Sequence, residues 1–232
     1  MEAHTPEPSP PQTPAKERSS RIPGFDAEAT PLLGIGLGLT GLTLGLRPRF
    51  APLPLALTAL AAALYRDPER VTPSDPHAIF APADGSLLLI DEIYEHRFLH
   101  TDCVRMAIAV SPIDVPVCRS PAAGTVRYME HVNGEYGPVS NVQAGDRNER
   151  VYIGIETAWG PILIVQIAGP LGRRIVSKVA VGDAVNPGTR LGTVRFGSRT
   201  DLYLQRDVAR ILVESGHHVV AGLSRIGDLA SS

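Results

Sequence analysis

Charge of either sign is missing from residues 31 to 46, PLLGIGLGLTGLTLGL, and again from residues 51 to 64, APLPLALTALAAAL. Cysteine is scarce: Cys103 and Cys118 are the two in 232 residues, and their spacing fits neither a disulfide scaffold nor a zinc site. They read as buried apolar residues in a reducing compartment. An excess of basic residues is also missing. With 22 Lys and Arg against 24 Asp and Glu, the net charge of -2 argues against a general nucleic-acid binder. No cluster of residues has the spacing of a metal site. No apolar run follows Met1 at signal-peptide distance, so a cleaved leader is not expected. Aromatics make up only 5% of the chain, while Gly (22) and Pro (21) are frequent, a composition of tight turns and short strands.

What is present divides the chain in three. Residues 1 to 30 form a tail whose first 24, rich in Pro, Ser and charge, cannot bury enough surface to order themselves. Residues 31 to 70 hold the two uncharged runs, of 16 and 14 residues, separated by Arg47-Pro48-Arg49 and closed by Tyr65 to Arg70. At about 1.5 Å per residue neither run comfortably crosses a hydrocarbon core of about 30 Å. The expectation is a membrane-associating helical hairpin; a buried pair of core helices is the competing reading. Gly34/Gly38 and Gly41/Gly45 have the small-xxx-small spacing that lets helices approach closely in lipid. Arginines at the tip and exit would lie at headgroups, and because they flank both ends of the second run they leave the topology open. Gly36 to Gly41 matches G-x-G-x-x-G, but no strand precedes it, so no nucleotide site is inferred.

Residues 71 to 232 read as a β-rich domain. Alternation predicts strands over 85–90, 104–110, 124–129, 151–157, 161–168, 175–179, 191–196, 201–204 and 218–221. Ala158-Trp159-Gly160 and Asn186-Pro187-Gly188 supply turns. A helix is expected from Arg206 to Glu214, ended by Gly216. Segments 120–126 and 181–192 resemble the two halves of the barrel-sandwich fold of biotin- and lipoyl-carrier domains, but the carrier lysine motif is absent. The expected fold is therefore mainly β with few helices: a barrel-sandwich-like domain preceded by a hydrophobic hairpin.

The stretch Leu191 to Leu204, LGTVRFGSRTDLYL, interrupts two alternating segments with Gly197-Ser198. A bulged edge strand would explain the glycine. A peptide bond placed so that the serine hydroxyl can attack its own carbonyl would explain it too. Four other clusters carry polar chemistry: Ala81-Pro82-Ala83-Asp84-Gly85, Ser111-Pro112-Ile113-Asp114, Asp146 to Arg150, and Gln166-Ile167-Ala168-Gly169 with Arg173-Arg174 behind it. Each alone suits an ordinary turn or charged loop. The arginine pair could also hold an anionic headgroup by charge-assisted hydrogen bonds.

Taken together, the exit Tyr65 to Arg70, Pro82 to Gly85, Ser111 to Asp114, Asn148 to Arg150, Gln166 to Val176 and Arg195 to Leu204 resemble the short form of phosphatidylserine decarboxylase, over about residues 31 to 228. The resemblance implies a proenzyme in which Ser198 attacks the Gly197 carbonyl. The chain would split into a β chain (1–197) and an α chain (198–232) that stay associated, and Ser198 would become a pyruvoyl cofactor. It implies a pyruvoyl Schiff base with the substrate amine, a role for Asp84 in activating the serine through a histidine, and no metal. The substrate would be phosphatidylserine and the product phosphatidylethanolamine. Arg173, Arg174 and His131 would stand near the headgroup, and the enzyme would sit at the cell membrane, peripheral or hairpin-anchored, with the catalytic domain cytoplasmic. The sequence departs from the family in one place. Where the family carries histidines after SP-x-D, this chain has Pro116 and Arg119. His77, His96, His100 and His131 are the candidate substitutes, His131 foremost. An uncut chain should hold Asp84 within reach of Ser198, directly or through one side chain. The competing functional reading is a non-catalytic or weakly active homologue that binds serine phospholipid or a protein partner.

Overall fold

The computed structural model describes residues 24–26, 29–140 and 144–230. The expected disordered tail falls almost wholly outside them. The uncharged runs form two helices, α1 (Ala29–Leu46) and α2 (Pro52–Leu64), joined by a 3-10 turn at Pro48–Phe50. Proline at the start of each of the last two elements costs no hydrogen bond, because a first-turn N–H has no intrahelical partner. At 18 residues α1 is long enough by length and composition to cross a membrane; α2 is shorter. Most leucines point outward on both helices, with Leu37, Leu42, Leu46, Leu53 and Leu57 exposed and Leu33 buried.

The helices touch where a glycine removes the obstacle, although not at the glycines the spacing singles out. A Cβ on Gly36 would stand 2.2 Å from Thr58 Oγ1, whereas Gly34, Gly38, Gly41 and Gly45 have nothing within 4 Å. Thr58 donates its hydroxyl to Pro54 O at 2.7 Å, so no polar atom is stranded at the crossing.

The rest is β. The strands are β1 (Ala78–Phe80), β2 (Gly85–Glu95), β3 (Thr101–Val110), β4 (Val117–Arg119), β5 (Gly124–Val132), β6 (Arg150–Thr157), β7 (Gly160–Ile167), β8 (Ile175–Ser177), β9 (Ala184–Val185), β10 (Arg190–Val194), β11 (Ser198–Gln205), β12 (Ala209–Ile211), β13 (His218–Val219) and β14 (Arg225–Leu229). One short helix, α3 (Ala144–Arg147), precedes β6. Eight strands form a curled half-barrel sheet in the order β13-β2-β3-β11-β7-β6-β5-β9, and two three-stranded sheets, β1-β14-β12 and β4-β10-β8, accompany it. The mainly β domain behind an apolar hairpin is the expected architecture.

The residues expected to form a helix after Arg206 instead carry strand β12. Val208, Ile211 and Leu212 fit a helical spacing. Yet Ala209, Ile211 and Val213 pack on the core, and that period of two belongs to an extended chain. Both expected turns are present: Thr157 pairs with Gly160 across Ala158-Trp159, and Thr189 N–H closes on Asn186 O at 3.0 Å.

The main core lies on one face of the large sheet and includes Met106, Ile108, Ile153, Ile155, Ile164 and Leu202. A second cluster on the opposite face holds Leu99, Cys103, Leu163, Val165 and Ile167. Both cysteines are buried and free. Burial pushes their thiols up, to about 11 for Cys103 and about 12 for Cys118, so neither is a nucleophile at neutral pH.

Candidate active site

Gly197-Ser198 lies in the turn from β10 to β11, and the strand begins at the serine itself. Phe196 (φ +59°) and Gly197 (φ +74°) both adopt the left-handed conformation. Glycine takes it freely, whereas a phenylalanine there is strained and must be held by its surroundings. The turn is hugged by backbone. A Cβ on Gly169 would stand 1.6 Å from the Gly197 carbonyl oxygen, and one on Gly172 would stand 1.4 Å from Arg195 O. Only glycine fits at 169 and 172, which accounts for both in the run Gly169-Pro170-Leu171-Gly172.

Ser198 is 1% exposed, and its hydroxyl donates to Val194 O at 3.1 Å. That contact spans the turn from the end of β10 to the start of β11. The same Val194 receives the departure noted above: its N–H donates to Pro116 O at 3.0 Å. Position 116 is therefore one residue removed from the serine's hydrogen bond. Arg119, at the other departure, works as a tie. It is buried and donates to Gly188 O at 3.0 Å and Pro68 O at 2.9 Å, with Asp67 at 3.5 Å.

Sheet register fixes what stands level with Ser198. It faces Val110 on β3, and since Arg199 faces Ile167, Ala168 comes opposite the serine on the other side. Glu149 follows beyond Ala168, and Gly85 beyond Val110. Gln166 faces Thr200 and so shares the serine's side of the sheet, diagonal to it. It is fully buried, and neither atom of its amide has a hydrogen-bond partner.

Asp84 stands two strands from Ser198, about 10 Å by strand spacing. Its Oδ1 accepts from Arg70 Nη1 (2.6 Å) and Ala221 N (2.8 Å), and its Oδ2 accepts from Arg70 Nη2 (2.7 Å). The hydrogen bonds of the Asp84 carboxylate run to Arg70 and the Ala221 backbone N–H rather than directly to Ser198.

The histidines separate by position. His96 and His100 lie at the β2–β3 turn, nine residues along β3 from Val110, roughly 30 Å from the serine. His77 precedes β1, where its carbonyl accepts from Leu229 N. His131 lies at the serine's end of the sheet. Its Nε2 is 3.0 Å from Glu149 Oε1, and Tyr136 donates its hydroxyl to Glu149 Oε2. That hydrogen bond holds the Tyr136 phenol above its usual range. Arg173 stacks over the Tyr136 ring at 5.4 Å. The Tyr136 loop also reaches the turn, since Val139 Cγ1 lies 3.4 Å from the Cβ position of Gly169. His131, Arg173 and their neighbour Arg174 are exposed, and a polar rim results. Sequence reading singled out His131, Arg173 and the Asn148 to Arg150 motif that holds Glu149; it missed Tyr136, which joins them and lies in no motif.

A buried serine next to a left-handed turn thus stands beside an exposed polar rim that carries His131, Arg173 and Arg174. Comparison with known proteins gives the family. The family model "Phosphatidylserine decarboxylase" matches residues 57–227. A phosphatidylserine decarboxylase proenzyme of Symbiobacterium thermophilum is 37% identical over 210 residues, covering 90% of this chain and 97% of the relative. Proenzymes of the same name from Carboxydothermus hydrogenoformans (40% over 165 residues, 71% and 78%) and Streptomyces coelicolor (43% over 172, 73% and 74%) are also similar. The chain belongs to the phosphatidylserine decarboxylase family, a family of carboxy-lyases.

Proposed function

We propose that this protein decarboxylates phosphatidylserine to phosphatidylethanolamine after cutting itself at Gly197-Ser198. The observation that carries the reading is the turn itself: a left-handed Gly197 whose carbonyl lies against Gly169, followed by a buried serine whose hydroxyl donates back across the turn to Val194 O. Ser198 Oγ bonds to the Gly197 carbonyl carbon as the amide C–N bond breaks, giving an ester and a free amine on Ser198. Elimination releases the Gly197 carboxylate and leaves a dehydroalanine. Water then replaces its nitrogen as ammonia, and the new α chain begins with a pyruvoyl group.

The surrounding residues suit that group. Ser198 would become it, and the unpartnered Gln166 amide on the same side of the sheet would hydrogen-bond it. Bound there, the pyruvoyl carbonyl supplies an electron sink for loss of carbon dioxide from an amine-bearing substrate. Arg173, Arg174 and His131 hold the phosphate and carboxylate of the headgroup at the rim. Asp84 acts on the serine at one remove, since its own oxygens are engaged. The exposed leucines of α1 and α2 seat the protein in the membrane that supplies the substrate. The free, buried cysteines suit a cytoplasmic catalytic domain.

A weakly active or non-catalytic homologue is the second reading, favoured by Pro116, because the hydrogen bond found for Ser198 Oγ runs to a backbone carbonyl rather than to an imidazole. Intact mass decides between them. The first reading expects two chains split at Gly197/Ser198, the smaller blocked by pyruvoyl, and a Ser198→Ala chain that stays whole. A purified wild-type protein that remains a single 24.8 kDa species overturns it. Pro116→His should hasten the cut, and an undiminished rate in His131→Ala would remove His131 from the chemistry.

A further inference from the structure

The two legs of the helical hairpin converge on the same few residues. Phe25 bridges Arg66, Asp26 N–H donates to Tyr65 O at 2.9 Å, and Asp67 N–H donates to Gly24 O at 2.8 Å. These contacts close the hairpin at its foot, and the foot rests on the turn that holds the bond to be cut. From the first leg, the Asp26 carboxylate pairs with Arg195 at 3.1 Å. From the second, the Tyr65 ring lies 5.0 Å under the Arg195 guanidinium and meets Phe196 edge-on at 6.0 Å and 76°. Arg66 donates to Ile113 O at 2.8 Å, in the loop whose Pro116 carbonyl caps Val194. One residue further, Asp67 is fully buried and accepts from Arg190 Nε at 2.9 Å, at the start of the strand that runs into the turn.

We propose that this foot is a clasp on Arg195–Gly197, with Tyr65 the positioning residue that holds the turn for self-cleavage. The inference rests on the self-cleavage reading above. Phe196 is in a conformation its own backbone disfavours, so a neighbour must hold it there. Tyr65 does so through the edge-to-face contact, the favoured aromatic geometry, while Asp26 and the ring face together fix Arg195. Attack by Ser198 Oγ on the adjacent carbonyl needs the two atoms held in near-attack alignment, and a turn free to relax would spend most of its time outside it. The membrane-seated element and the cleavage turn thereby become one mechanical unit. After the cut, Phe196 and Gly197 are a chain end, and the clasp keeps that end on the hairpin's side of the site.

The test uses the full chain, synthesised in the presence of phosphatidylglycerol–phosphatidylethanolamine vesicles, with the uncut fraction followed by intact mass during a chase. Tyr65→Ala should slow the cut by about tenfold or more, the rate change expected when the turn, no longer held, leaves its aligned conformation nine-tenths of the time. Tyr65→Phe, which keeps the ring, should restore the rate to within about twofold. Asp26→Asn, on the other leg, should slow it by about threefold. Melting temperatures, taken in a Ser198→Ala background where nothing is cut, should fall no further in Tyr65→Ala than in Asp26→Asn, so that the larger slowing in Tyr65→Ala does not follow stability. Wild-type rates in both Tyr65→Ala and Asp26→Asn would overturn the clasp while leaving self-cleavage intact. A slow Tyr65→Ala chain with a matching loss of melting temperature would also overturn it, reducing Tyr65 to a packing residue. A wild-type chain that is never cut would remove the self-cleavage reading and the clasp with it.

Discussion

The hairpin and the β domain solve opposite problems with opposite residues. In the hairpin most leucines face out, and a glycine and a threonine meet within. In the β domain arginines are among the largest fully buried side chains: Arg199 is enclosed with Asp201 as its bidentate partner, and Arg119 lies beside the wholly buried Asp67. Burial pushes the Asp201 carboxyl up, and the Arg199 guanidinium opposes it. An apolar exterior is stable where the surroundings are hydrocarbon, and a charged interior is stable only where every charge has a partner. The contrast teaches that an apolar exterior and a charged interior can meet at one seam, and that charged pairs tie that seam: Asp67 and Arg70 come straight after α2, and their partners are in the β domain.

Three changes would break or sharpen that contrast. The largest effect is expected from Asp67→Ala, which leaves Arg119 buried without its carboxylate. A loss of about 3–5 kcal/mol is expected, read as a lower urea midpoint. A midpoint unchanged from wild type would mean that the buried charges are solvated after all. Gly36→Leu should come next, because its Cβ would meet Thr58 Oγ1 at 2.2 Å. Overpacking of this kind costs about 1–3 kcal/mol, and here it should fall on the hairpin alone. Spin labels on cysteines placed at Leu37 and Leu57 should move apart while the β domain keeps its urea midpoint. The native thiols, being buried, would not take the label.

The smallest effect concerns an exposed pair. Arg97 and Glu130 meet at 2.6 Å, and hydrogen bonds from Tyr128 and Arg97 outweigh burial to hold the Glu130 carboxyl below its ordinary 4.5. A depressed carboxyl pKa means that its stabilising contribution is present above pH 4.5 and is lost as pH falls through the lower folded value. Both side chains are more than a third exposed, so the effect should be at most about 1 kcal/mol. Glu130→Gln should flatten the stability profile below pH 4.5 by no more than that. A larger change would place surface charge on a par with the buried pairs.

Much of this was legible in the chain and some was not, for physical reasons. Long strands declare themselves by alternation, so β2, β3, β6, β7 and β11 fall where expected. Strands of two or three residues, such as β4 and β9, carry too few positions for any period to show. The Arg206 to Glu214 segment fits both periods, and only packing chooses. At the site, Gly197-Ser198 stands out because glycine and serine interrupt a strand. Gly169 and Gly172 look like ordinary loop glycines until the carbonyls beside them are seen. The clasp joins Asp26, Tyr65 and Arg195 from distant parts of the chain, and no local pattern could announce it. Asp84 shows the converse: its motif was visible, but the motif gave no sign that Arg70 would claim it.

The position of β11 has a consequence for what a cut molecule can do. Its eight residues are paired along their whole length with β3, and six of them with β7 as well. A fragment starting at Ser198 would therefore be threaded through the middle of the large sheet, with its later strands added to the sheet's edge and to a second sheet. Such a fragment has no exchange partner and no route out short of global unfolding. Each mature molecule would keep the serine it was translated with, so its cofactor would be inherited once and never replaced. Damage to that one residue would retire the whole protein rather than a replaceable part.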